Sequence, residues 1–141
     1  MARTDVNAIG HHHTRAVSFH RGDGSTQAAL SHGREPEFGD ANMLPDDLVK
    51  GHSLANSLGQ GRVALLRGHG AVVVGETIPN MVLASIYLKQ NAQLVLQARQ
   101  LGDLYYLTPG EVQKTHDLTC SQLPMNRAWN YYVARAGFRG M

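Results

Sequence analysis

The stretch from Val63 to Gly102 constrains the fold more than any other part of the chain. Two short apolar runs, Val63 to Arg67 and Ala71 to Glu76, are separated only by Gly68-His69-Gly70. The spacing predicts a β-hairpin with a tight turn. The flanking glycines let the backbone take positive φ and approach its neighbours closely. Thr77 then supplies a helix N-cap, and Pro79 fits the first turn. Val82, Leu83, Ile86, Tyr87, Ala92, Leu94, Val95 and Ala98 recur at helical intervals until Gly102. A helix of that length packs on a sheet or at a subunit interface, and its apolar stripe is read as core. Strands mixed with helices in this order imply a layered α/β domain.

The remaining elements are less sharply marked. Val6 to His12 is a first strand candidate. Pro45 opens a helix with Asp46 and Asp47 at its positive end. Leu48, Val49, His52, Ala55 and Leu58 follow at helical spacing, and Gly59 ends it. Thr108-Pro109-Gly110-Glu111 is a capping-box pattern opening a helix through about His116. The segment Asn126 to Gly137 places Trp129, Tyr132, Val133 and Ala136 on one face. Residues 18–44 are rich in Gly, Ser, Asp and Arg, and are expected to be irregular. The Arg21-Gly22-Asp23 tripeptide is short enough to be chance. No internal repeat stands out.

Bulk composition excludes several functions. With 141 residues, 43% of them hydrophobic, the chain suits one domain, 1–141, with a real core. Lys plus Arg is 13 against 11 acids, and no basic run concentrates the excess. That argues against a nucleic-acid partner. The single Cys120 fits a reducing compartment. No apolar run approaches the roughly 20 residues of a membrane span, and the start lacks a signal-peptide core. A cytoplasmic protein with no membrane partner is expected.

Histidine is the unusual residue. There are 8, and five precede residue 33. His11-His12-His13 ends the first strand candidate, and His69 sits in the hairpin turn. On a strand, residues two apart share a face, so an H-x-H pair points one way. A third imidazole from a glycine-flanked turn can approach such a pair. Neutral imidazoles bind zinc and its neighbours well. The duller readings are a solvated N-terminal loop and an ordinary turn histidine. His20, His32, His52 and His116 carry no motif. Glu76 leaves the turn on a strand and is a poor candidate acid. Tyr131, Tyr132 and Trp129 read as core or interface.

Leu65 to Gly102, "LLRGHGAVVVGETIPNMVLASIYLKQNAQLVLQARQLG", resembles the back half of class II aldolase/adducin domains. "ARTDVNAIGHHHTRAV" resembles that family's earlier H-x-H motif. Phe38-Gly39-Asp40 with Asn42-Met43-Leu44 resembles the loop before the next helix, and "NRAWNYYVARAG" is similar to a C-terminal helix of the family. The resemblance implies a three-layer α/β/α sandwich with a mixed, largely antiparallel sheet. It implies metal ligation by His11, His13 and His69, with His12 as the intervening residue; three consecutive histidines leave that register open by one. His12→Ala is then expected to do little. It implies a divalent metal, zinc first and manganese second, and a small-molecule substrate. The implied activity is a lyase that cleaves a C–C bond, by retro-aldol reaction or decarboxylation, through an enolate-like intermediate. A homo-oligomer, a tetramer by family habit, is also implied. Three departures qualify this. The family's catalytic Glu has no counterpart, as though the chain lacked the N-terminal part of the domain. Arg15 stands where Pro is common, and a stretch is missing between "LSHG" and "EFGD", which leaves an exposed sheet edge. The alternative is a catalytically impaired fragment or a non-enzymatic, adducin-like interaction domain.

Overall fold

The structure is a computed structural model and describes residues 3–14, 48–66 and 69–138. The irregular segment expected at 18–44 lies outside the described residues, as do the helix start at Pro45 and residues Arg67 and Gly68. The chain divides into two compact units, 1–104 and 105–141. Each is described by itself.

The first unit holds β1 (Ala8–His12), α1 (Leu48–Leu58), β2 (Val63–Leu66), β3 (Gly70–Gly75) and α2 (Ile78–Ala98). The strands form one sheet in the order β1-β3-β2, with both pairings antiparallel. The hairpin expected from the glycine-flanked turn is therefore present, as β2 and β3. β1 adds to the other side of β3, in a register that sets His11 against Val72 and His12 against Ala71. The sheet starts later than expected, at Ala8, and its described strands are antiparallel throughout rather than mixed. The described architecture is an antiparallel sheet with helices against it.

The central strand explains why this part is stable. β3 is buried at five of its six positions. Val73 and Ala71 meet Leu88 and Ala92 of α2, with Met81, Ala84, Val63 and Leu65 closing the cluster. Fully burying one Leu or Val side chain contributes roughly 1.5–3 kcal/mol. Near its start α2 lies so close to the sheet that a Cβ on Gly75 would stand 2.7 Å from the Met81 nitrogen. Only glycine lets helix and strand meet there. Thr77 caps α2 as expected, its hydroxyl accepting the Asn80 N–H at 3.2 Å. The apolar stripe of α2 is not all core, however. Leu83, Leu88 and Ala92 are buried, while Tyr87, Leu94 and Leu96 are exposed. A single sheet covers one side of a helix, and this stripe is wider than that side.

The second unit contains α3 (Pro109–Thr119) and α4 (Gln122–Arg135). The capping box at Thr108 is complete: Glu111 accepts from the Thr108 N–H at 2.8 Å, and Thr108 Oγ1 accepts from the Glu111 N–H at 3.4 Å. α3 runs to Thr119, past the expected end at His116. α4 begins at Gln122 rather than Asn126, because Pro124 fits a first turn. Neither helix buries a residue fully. Trp129 and Tyr132 are half-buried, and Tyr131 is exposed against Tyr132, with Arg135 donating to its hydroxyl.

Candidate metal centre

Strand parity decides which histidines can meet. Along β1, Ala8, Gly10 and His12 face α2; a side chain at Gly10 would run into the Met81 sulfur. Ile9 and His11 face the other way, and Ile9 is exposed. His13 follows the last paired residue and points with His11. His69 immediately precedes β3, and its backbone N–H donates to the Leu66 carbonyl at 3.0 Å. The turn thereby brings the His69 ring over the end of β1.

Gly70 makes this approach possible by the second of the two routes expected of it. Among the described residues positive φ falls on Gly59, Gly102 and Gly137, and not on Gly70. A Cβ at Gly70 would instead collide with the His12 carbonyl oxygen. The glycine is needed for close backbone approach.

Three imidazoles converge as a result. His13 Nε2 lies 2.7 Å from His11 Nε2 and 2.9 Å from His69 Nε2. The rings meet edge-on, with centroids 4.3 to 5.0 Å apart. One ligand atom from each residue lies within 4.8 Å of the other two, so the group could hold a metal ion. His11 and His13 are exposed, and His69 is buried. One side of the cluster is closed by protein, and the other is open to small molecules.

The donor chemistry suits a cation. His11 Nδ1 lies 3.1 Å from the Ala71 carbonyl oxygen, which can only accept. The Nδ1 therefore carries the proton, and in the neutral ring Nε2 presents a lone pair to the cluster. His13 Nε2 has one proton or one lone pair, not both. No neutral assignment turns both short Nε2 contacts into good hydrogen bonds. A metal ion accepts all three lone pairs at once. Burial lowers the His11 pKa first, and positive charge on His13 or His69 lowers it further, against the opposing Ala71 bond. The ring thus stays neutral, and able to ligate, below the usual histidine range.

His12 is turned away from the cluster. Its Nδ1 is 3.1 Å from Thr14 Oγ1, and its buried Nε2 has no hydrogen-bond partner among the described residues. Burial, then His11 and His13, lowers its pKa. An unpaired buried polar atom costs roughly 1–3 kcal/mol. The Ala71 carbonyl and the Thr14 hydroxyl were not legible as site groups in the sequence. A backbone carbonyl carries no sequence signal; Thr14 follows the H-x-H pair where the family resemblance implies Thr or Ala, which marks the position but gives its hydroxyl no role.

Glu76 lies at the far end of β3, roughly 15–20 Å from Ala71 by strand rise. There it lines a cleft of about 220 Å³ with Arg3, Asp5, Arg62 and Asn80. Arg3 is held by Asp5 at 2.6 Å and donates to the Gly59 and Gly61 carbonyls, so it ties the chain start to the loop before β2. His52, on α1, and His116, on α3, are not part of the imidazole group. His20 and His32 lie outside the described residues.

A family profile for the class II aldolase and adducin N-terminal domain matches residues 1–96. The chain belongs to the class II aldolase and adducin family. Decarboxylase tropJ of Talaromyces stipitatus is similar to this class II aldolase-family chain, 32% identical over 90 residues, covering 56% of this chain and 33% of that protein. The solved structure of an aldolase II superfamily protein from Pseudomonas syringae matches the fold with a TM-score of 0.67 at 22% identity. That match covers 94% of this chain and 57% of the other. The chain therefore spans about a third of the length of the fungal decarboxylase and little more than half that of the bacterial protein. No described helix is long and apolar enough to cross a membrane.

Proposed function

We propose that this class II aldolase-family chain is a divalent-metal-dependent lyase that cleaves a C–C bond of a small-molecule substrate, by retro-aldol reaction or decarboxylation. The observation that carries the reading is the convergence of His11, His13 and His69 on one point. Family membership and the similarity to a protein described as a decarboxylase support it. When bound, a divalent cation supplies Lewis acidity for the negative charge that such cleavage develops on oxygen. The protein's own part is positional. The Ala71 carbonyl holds His11 in its ligating tautomer. Buried His69 closes the inner side to water, and the exposed rings of His11 and His13 leave the outer side for substrate. Three imidazoles, with no carboxylate joining them among the described residues, favour zinc, with manganese second. A cytoplasmic homo-oligomer, a tetramer by family habit, and a single domain over 1–141 complete the proposal.

One observation favours a second reading, a catalytically impaired domain or adducin-like interaction domain. Among the described residues no carboxylate joins the three imidazoles, and a carbanion needs a proton donor. Metal analysis and product assays separate the two. The purified chain should retain about one zinc ion per chain after dialysis, and its melting temperature should rise on adding zinc. His11→Ala, His13→Ala and His69→Ala should each lose the ion. Aromatic or pyridine carboxylates should release carbon dioxide, or sugar phosphates should yield an aldehyde, in proportion to bound metal. Metal binding without either product supports the second reading. A wild-type chain that binds neither zinc nor manganese overturns the metal centre.

A further inference from the structure

His13 occupies an exposed position with little to aim it. Alternation gives His13 its face, but the paired register of β1 ends at His12 against Ala71, so no ladder pairing holds the ring there. His13 nevertheless stands between the other two imidazoles, with both short Nε2 contacts made through it. It is flanked by two residues that bond to each other: His12 Nδ1 and Thr14 Oγ1 lie 3.1 Å apart across it. We propose that His12 and Thr14 are positioning residues for the metal centre, and that their hydrogen bond brackets His13 and aims its ring at His11 and His69.

Strand geometry supports the assignment. Residues 12 and 14 share one face while residue 13 points to the other. A bond between the side chains of 12 and 14 therefore limits rotation of the intervening residue without entering the metal site. The far end of the lever is anchored, because His12 Nε2 is buried among the described residues on the α2 side. An apolar residue would fill that space without stranding a polar atom. Histidine at this place is thus poorly explained by packing alone, and its Nδ1 contact to Thr14 supplies the missing role.

This inference rests on the metal-centre reading, and its test keeps the two apart. The 141-residue wild-type chain, Thr14→Val, Thr14→Ser and His12→Leu are titrated with zinc against a competing chelator and with cobalt(II) by visible absorption. Melting temperatures are taken without metal. Thr14→Val and His12→Leu should each weaken zinc binding about tenfold and alter the cobalt spectrum, a larger effect at position 12 than the family resemblance alone implies, whereas Thr14→Ser stays within about twofold of wild type. The metal-free melting temperature should be unchanged in Thr14→Val and unchanged or raised in His12→Leu. Wild-type affinity in both Thr14→Val and His12→Leu overturns the positioning role and leaves the metal centre standing. Weakening that Thr14→Ser shares, or that follows a fall in melting temperature, overturns it as well. A wild type that binds no zinc or cobalt overturns both readings together.

Discussion

The two units begin their helices with the same device and finish differently. α2 starts with Thr77 and Pro79, and α3 starts with Thr108 and Pro109; both threonines accept an amide from the third helical residue. The cap of α3 is the better one, because Glu111 returns a bond to Thr108. Yet α2 buries Leu83, Leu88 and Ala92, whereas α3 and α4 bury nothing fully. Capping decides where a helix starts. Burial depends on whether another element offers an apolar face, and β3 offers one to α2. The candidate metal centre lies in the unit where that happens. Three ligand atoms can be held together only on elements that packing has already fixed.

The largest test of this contrast is in the core. Leu88→Ala should lower the unfolding free energy by about 2–5 kcal/mol in urea titration. Tyr131→Ala, on the exposed face of α4, should stay within about 0.5 kcal/mol of wild type. Equal effects would break the comparison, since they would show that residues 105–138 are as tightly packed as the sheet.

Removing the caps should show a smaller difference. Thr108→Ala and Thr77→Ala should each cost about 1 kcal/mol. In the first unit the loss should appear as reduced global stability with helix content intact, because packing holds α2 on the sheet. In the second it should appear as reduced helical circular dichroism and weaker amide protection over residues 109–119. Loss of helix content in both variants would mean that α2 also depends on its cap.

The smallest expected effect is on pH. The folded-state pKa values of His11 and His12 are lowered from 6.5. As pH falls below about 6.5 the unfolded chain takes up these protons first, so the metal-free fold loses stability until the folded values are passed. Glu111 is also lowered, from 4.5, chiefly by its bond from the Thr108 backbone. Its contribution is present above that value and is lost as pH falls through the lowered one. Melting curves should therefore soften first near pH 6.5 for the first unit, and helix signal from the second should respond only in the acid range. A single transition with no change between pH 7 and 5.5 would remove the histidine part of the contrast.

Much of the site was legible before the fold. The alternation of a strand sends His11 and His13 one way and His12 the other. The Gly-His-Gly turn announces a hairpin, and Thr77 with Pro79 announces α2. These features depend on residues within a few positions of each other, and local backbone preference acts over that range. The breadth of the α2 stripe misled for the same reason: apolar spacing at Tyr87 and Leu94 says nothing about how much of a helix a sheet can cover.

Only the tertiary structure decided the rest. His69 meets His13 across 56 positions of chain, and His11 leans on the Ala71 carbonyl across 60. Those contacts exist because β1 adds to β3 in one register, held by α2 packing on both strands and by the space Gly70 leaves for the His12 backbone. A slip of one residue would send His11 and His13 to the α2 face and bring His12 out instead. The sequence by itself determined which residues could ligate and which way each strand position faces. The packing of α2 against β1 and β3 determined that the three rings share one point, because distant segments are brought together only by the apolar surface they bury.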